Sequence, residues 1–189
     1  MNVYDFDKTI YDGDSTLDFY FYCLRKHPSI IICLPKQLFG AIAYKLRLVS
    51  KVRFKEMFYS FLKKLKNVDG DILCFWDGHQ RKIKDWYLRQ REESDLIISA
   101  SPEFLLREIC ERVGIQHLIA SAVDKKTGCY TGNNCYGEEK VNRFSECYPG
   151  CKIKDFYSDS ISDQPMADIA ENSYLVRGCR LDPWKRSGI

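Results

Sequence analysis

No stretch of this sequence approaches the roughly 20 consecutive apolar residues that cross a bilayer. The nearest, from Ile30 to Val49, is broken by Pro35, Lys36, Lys45 and Arg47, so a soluble protein is expected and membrane association is not. An excess of charge of one sign is also missing. Lysine and arginine number 29 against 26 acidic residues, a balance without a general nucleic-acid signature that still suits a small anionic substrate. Cysteine is plentiful, but it lacks order. The count of nine is odd and the spacing scattered. The densest group, Cys129, Cys135, Cys147 and Cys151, does not form the paired short knuckles of a zinc site. With no secretory signal ahead of the first apolar residues, free thiols in a cytoplasmic protein are expected.

What is present suffices for a real core: 189 residues, 45% of them hydrophobic, make one substantial domain or a core domain with a sizeable insertion. The most informative local feature is Asp5-Phe6-Asp7-Lys8-Thr9, immediately after the apolar pair Val3-Tyr4. In extended chain, residues i and i+2 project to the same side. Both carboxylates can then face one substrate from the carboxyl end of a strand.

The segments that follow change character along the chain. Ser15 with Asp18 three residues on resembles a capping box, opening a helix through Leu24 that stops near Pro28. Between 50 and 66, Phe54, Met57, Phe58, Phe61, Leu62 and Leu65 recur with the period of one helix face, lysines opposite. A further helix is capped by Asp69 or Asp71 and carries Ile72, Phe75, His79, Ile83 and Trp86 along one stripe. From Leu96 the pattern becomes short strands alternating with helices. Leu96-Ile97-Ile98 ends in Ser99, and Ser101-Pro102-Glu103 opens a helix with a capping hydroxyl. A strand over His117 to Val123, a hairpin over Lys125 to Gly137, a helix from Glu138, a strand over Ile153 to Tyr157, a helix from Gln164 and a strand at Tyr174 to Val176 complete the series. This alternation predicts an α/β protein with a parallel sheet sandwiched by helices. In such sheets ligands bind beyond the carboxyl ends of the strands, where Asp5 and Asp7, Ser99, and Asp159 and Asp163 all fall.

With these residues in place the chain resembles the haloacid dehalogenase superfamily, in its phosphoserine phosphatase-like subgroup. Four motifs match in order: Asp5 to Thr9, Ser99 after an apolar strand, Lys140 within Gly137-Glu138-Glu139-Lys140, and Asp159-Ser160-Ile161-Ser162-Asp163. The resemblance implies a Rossmann-like core, residues 1–11 and 92–189, with a helical cap, residues 12–91, inserted after the first motif. It also implies a magnesium-dependent phosphatase acting through an aspartyl-phosphate. Asp5 would be the nucleophile and Asp7 the acid and base. Ser99, Ala100 and Lys140 would hold the phosphoryl oxygens. Asp5, Asp159 and the backbone carbonyl of Asp7 would hold Mg2+, with Asp163 acting through water or by orienting Lys140. Thr9 would fix the turn. The partner expected is a small-molecule phosphate ester, and closure of the cap over the crevice is expected as well.

The presence of Asp7 favours phosphoester chemistry, since dehalogenases lack an acid there. The particular ester is left open. Asp14 stands nine positions after Asp5, where phosphoserine phosphatases carry a glutamate for the substrate amine; Ala100-Ser101 replaces paired glycines, and Ser158 and Ser160 also stand at glycine positions. Two alternatives are a non-catalytic binding module on the same fold and a phosphatase acting on a lipid-like phosphate. The second is suggested by the mixture of apolar residues with Arg25, Lys26, Lys36, Lys45, Arg47, Lys51 and Arg53 between Leu24 and Arg53.

Overall fold

The computed structural model describes residues 1–185; the last four residues assigned to the core lie outside them. Six strands form one sheet in the order β3-β2-β1-β4-β5-β6. They are β1 (Val3–Tyr4), β2 (Leu96–Pro102), β3 (His117–Ser121), β4 (Ile153–Ser158), β5 (Ala170–Arg177) and β6 (Arg180–Pro183). The first five run parallel and β6 returns antiparallel to β5. This is the expected Rossmann-like α/β architecture, with the shortest strand at its centre. β1 is buried on both faces because β2 and β4 flank it and helices cover the sheet.

The helices are α1 (Ser15–Lys26), α2 (Leu34–Lys45), α3 (Lys51–Phe58), α4 (Val68–His79), α5 (Asp85–Gln90), α6 (Glu103–Arg112), α7 (Glu138–Cys147) and α8 (Gln164–Ile169). Several boundaries differ from the sequence reading, each for a local reason. Asp14, not Ser15, caps α1 by accepting from the Leu17 N–H. Asp18 turns instead to Tyr11 and Lys82. The apolar stripe from 50 to 66 is not one helix: α3 tightens into a 3₁₀ segment over Tyr59–Lys64, which brings Tyr59, Phe61 and Leu62 all inward. Asn67 caps α4, leaving Asp69 and Asp71 in its first turn. The stripe through Trp86 also breaks, since α4 stops at His79. Asp85–Gln90 is a separate helix whose Trp86 and Tyr87 pack on Tyr4 of β1. β3 ends at Ser121, and Val123 makes only an isolated bridge to Tyr130.

The helical segment between the first two strands is fused to the sheet by a continuous apolar cluster. Phe19, Phe61, Phe75 and Trp76 share it with Tyr4, Phe6, Leu105 and Ile109. Trp76 sits edge-on to Phe6 and Tyr11, and its indole N–H donates to the Leu105 carbonyl at 2.8 Å. Entry and exit of the segment also pair: Tyr11 bridges Ile83, and the Asp12 N–H donates to the Lys82 carbonyl.

Candidate active site

The site is assembled at the carboxyl ends of β1, β2 and β4. The Asp5 N–H donates to the Tyr157 carbonyl at 2.9 Å, extending the ladder one residue past Tyr4 and fixing where the Asp5 side chain leaves the strand. The chain then reverses sharply, with Lys8 at φ 59°. A non-glycine residue there costs on the order of 1 kcal/mol. A buried lysine from the exit linker offsets it: Lys84 Nζ donates to the Lys8 carbonyl at 2.5 Å and to the Gly178 carbonyl at 2.8 Å. Thr9 Oγ1 donates to Asp5 Oδ2 at 3.2 Å and accepts from the Asp159 N–H at 2.9 Å. One fully buried hydroxyl thus sets the distance between the loops after β1 and β4.

Lys140 is the electrostatic centre. It lies in the first turn of α7, just after Gly137, whose φ of 60° suits a residue without a side chain. Its side chain is 2% exposed, and Nζ donates to Asp5 Oδ1 and to Asp163 Oδ2, both at 2.7 Å. Asp163 Oδ2 also accepts from Ser158 Oγ at 2.7 Å. Burial alone would pull the ammonium pKa down, but Asp5 and Asp163 outweigh it and hold it above the usual lysine range. For Asp5, burial pushes the carboxyl up; Lys140 opposes this and Asp163 adds to it. Burial raises Asp159 too, against Lys8.

Asp7 faces the other way, toward the helical segment. Its Oδ1 accepts from the Ser15 N–H at 2.6 Å and its Oδ2 from the Ser101 hydroxyl at 2.5 Å. Burial and then the Asp14 charge push its carboxyl up to about 6, against those two donors. A carboxyl near neutrality can both give and accept a proton. Ser101 was not legible as a site residue. The sequence offers it as a helix cap, yet α6 has no side-chain cap bond. Its N–H donates to Ser99 Oγ, tying Ser99 to the same loop. The β2–β3 register shifts between Ser99 and Pro102. This irregularity turns Ala100 and Ser101 out of the ladder toward a cavity of about 380 Å³.

That cavity has Asp7, Ala100 and Ser101 on the sheet side, and Leu17, Phe54, Lys55 and Phe58 opposite. Lys55 Nζ donates to the Ala100 carbonyl and to Asn134 Oδ1, both at 2.9 Å. Burial, with Lys51 adding to it, lowers the Lys55 pKa to about 8. In the sequence Lys55 is one of several lysines on the polar side of an amphipathic stretch; only its reach across to Ala100 distinguishes it.

The donor chemistry fits a hard divalent cation. Asp5, Asp7 and Asp159 offer oxygen alone, and among the described residues no lysine or arginine forms an ion pair with Asp7 or Asp159. Among the described residues, the one lysine ion-paired within the cluster is Lys140, shared between Asp5 and Asp163. No three carboxylate, imidazole or thiolate side chains converge into a ready-made metal nest among the described residues. Mg2+ does not need one, since it is typically held by one or two carboxylates with water and phosphate oxygens completing the octahedron.

Residues 3–168 match the haloacid dehalogenase-like hydrolase family, a span that includes all four motif segments. A probable phosphatase of Mycobacterium tuberculosis H37Rv is 34% identical over 100 residues, covering 46% of this chain and 34% of that protein. The matched stretch thus spans about a third of that relative. In three dimensions, a protein of unknown function from Bordetella pertussis Tohama I superposes with a TM-score of 0.74 at 19% identity, covering 93% of this chain and 88% of that one. A phosphoserine phosphohydrolase-like protein from Francisella tularensis subsp. tularensis SCHU S4 gives a TM-score of 0.54 at 15% identity, with 93% and 87% covered. These two likenesses concern the fold. Taken with the span of the family match, the order of the motifs and the strand ends that carry them, the chain belongs to the haloacid dehalogenase-like hydrolases.

Proposed function

We propose that this hydrolase is a magnesium-dependent phosphomonoesterase that works through an aspartyl-phosphate on Asp5. The observation that carries the reading is the buried Lys140, 2.7 Å from both Asp5 and Asp163. A buried ammonium beside a strand-end carboxylate offsets the repulsion between that carboxylate and an incoming phosphate; it binds Oδ1, leaving Oδ2, positioned by the Thr9 hydroxyl at 3.2 Å, as the attacking oxygen. Mg2+, held by Asp5, Asp159 and the Asp7 carbonyl, would neutralise further phosphoryl charge and polarise the phosphorus.

In the first step an Asp5 carboxylate oxygen bonds to phosphorus as the ester P–O bond breaks, and the departing alkoxide takes its proton from Asp7. In the second, water attacks phosphorus and gives a proton to Asp7. The Asp5–phosphorus bond breaks, restoring the carboxylate and releasing inorganic phosphate. Ser99, the backbone N–H of Ala100 and Lys140 hold the phosphoryl oxygens. Asp163 and Ser158 orient Lys140, and Thr9 positions Asp5. Residues 12–91 act as the cap and supply Leu17, Phe54, Lys55 and Phe58 to the leaving-group side of the cavity. The extensive packing of this segment on the sheet favours small adjustments at the crevice over wide opening.

Purified protein with Mg2+ is expected to release phosphate from members of a broad ester panel and to lose this activity in chelator. No turnover of any ester would favour a binding role instead. The role of Asp7 has its own signature. Asp7→Asn should slow an alkyl phosphate by roughly 100- to 10,000-fold. With p-nitrophenyl phosphate, whose leaving group needs no proton, the variant should show a stoichiometric burst of nitrophenolate and then slow turnover. The same loss on both substrates without a burst would remove Asp7 from the proton transfer.

A further inference from the structure

Helix α2 is assembled inside out. Its buried positions are Gln37, Gly40 and Ala43, whereas Leu38, Phe39, Ile42 and Leu46, at i, i+1, i+4 and i+8, face solvent at 54%, 64%, 60% and 63% exposure. Ile31 and Ile32, in the 3₁₀ segment that leads into the helix, are 59% and 70% exposed. This orientation is held by specific contacts. The Gln37 amide accepts from the Tyr20 hydroxyl and donates to the Phe58 carbonyl, each at 2.9 Å. A Cβ on Gly40 would lie 3.0 Å from Met57 Cβ, so α2 can approach α3 this closely only along its glycine face. The end of the helix is unusual as well. The Leu48 N–H closes on the Ala43 carbonyl with Arg47 at φ 58°, where glycine is usual. The apolar residue that normally folds back in such a cap, Leu48, is 74% exposed. A contiguous apolar face of this kind is uncommon on a protein surface unless something covers it.

Charge identifies the cover. Residues 19–68 contain eleven of the 29 basic residues and one of the 26 acidic ones, Glu56, so the rest of the chain carries an acidic excess. Lys36, Lys45 and Arg47 are exposed on or beside α2. An apolar helix face with a basic rim and almost no acid is complementary to an anionic lipid surface, which takes the side chains at the headgroup boundary and attracts the cations. Among the described residues no helix is long and apolar enough to cross a membrane, and this face needs none. We propose that α2 and the preceding 3₁₀ segment dock flat on an anionic lipid bilayer. The docking face adjoins the active-site cavity, because Tyr44 near the end of α2 stacks on Phe54, a residue of the cavity wall, with ring centroids 5.2 Å apart.

Vesicle flotation of the full chain tests this, using phosphatidylcholine vesicles with and without ~30% phosphatidylglycerol at ~0.1 M salt. Wild type should float with the anionic vesicles and stay behind with the zwitterionic ones. Phe39→Asp with Ile42→Asp should reduce binding at least tenfold. Lys45→Gln and Arg47→Gln should each reduce it about fivefold. Because all four side chains are exposed, the variants should keep the wild-type melting temperature and turnover of a soluble ester. Failure of wild type to bind anionic vesicles would overturn the proposal, as would unchanged binding by the Phe39/Ile42 variant. So would concentration-dependent self-association in sedimentation that Phe39→Asp abolishes, since a second copy would then be the occupant.

Discussion

Asp5→Asn is expected to lower phosphate release by roughly 10,000-fold or more, as removal of a covalent nucleophile does when no neighbour can replace it. Asp7 is the nearest carboxylate in sequence, but the Ser15 N–H and the Ser101 hydroxyl hold it toward the opposite wall of the crevice. The substitution is nearly isosteric, so the fold should survive. In the wild type one ammonium faces two buried carboxylates, and burial already works against the Asp5 charge. Removing that charge leaves Lys140 balanced by Asp163 at 2.7 Å. The variant should therefore melt at or above the wild-type temperature while losing turnover. Phosphate release and calorimetry on the same preparation check this, and persistent activity in a pure sample would remove Asp5 as the nucleophile.

Lys140→Met reverses that pattern, with both activity and stability falling. It leaves Asp5 and Asp163 buried without their shared counter-charge, and an orphaned buried charge costs about 3–5 kcal/mol. For a chain of this size that corresponds to a fall in melting temperature on the order of 10 °C. The pH dependence gives a second readout. Without the ammonium, nothing opposes the burial that already raises Asp5, so this carboxyl binds its proton more tightly in the folded variant than in the folded wild type or the unfolded chain. The folded variant then carries the extra proton at low pH, and stability is lost as pH rises through the raised pKa. The gap between variant and wild type should narrow toward pH ~5 and widen toward pH ~8. A variant as stable as wild type at every pH would show that Lys140 does not compensate this cluster.

The difference between these two substitutions shows what could be read in one dimension. Asp5, Ser99 and Asp159 stand just after apolar runs, and strand periodicity with the helix starts beyond them is local information, set by a few neighbouring residues. From it the parallel sheet and the crevice at its carboxyl edge follow. Lys140 was also locatable, as a lysine just inside a helix start after glycine. What could not be read is that it is buried and divided between carboxylates 135 and 23 residues away.

The sequence by itself determined the α/β class, the segments that carry the carboxylates and their position beyond the strand ends. These depend on hydrophobic period and on capping and turn residues that act within a few positions. Tertiary structure alone decided which polar groups meet. Ser101 leaves its expected cap for Asp7, 94 residues away, and Lys55 crosses 45 residues to Ala100. Thr9 joins two loops 150 residues apart. Packing also decided the break of the 50–66 stripe into α and 3₁₀ turns. It decided the outward apolar face of α2, because a stripe of large side chains records that a face will be covered but not by what. For α2 the buried side went to Gln37 and Gly40, whose two hydrogen bonds and close approach to Met57 exist only once α1 and α3 are in place.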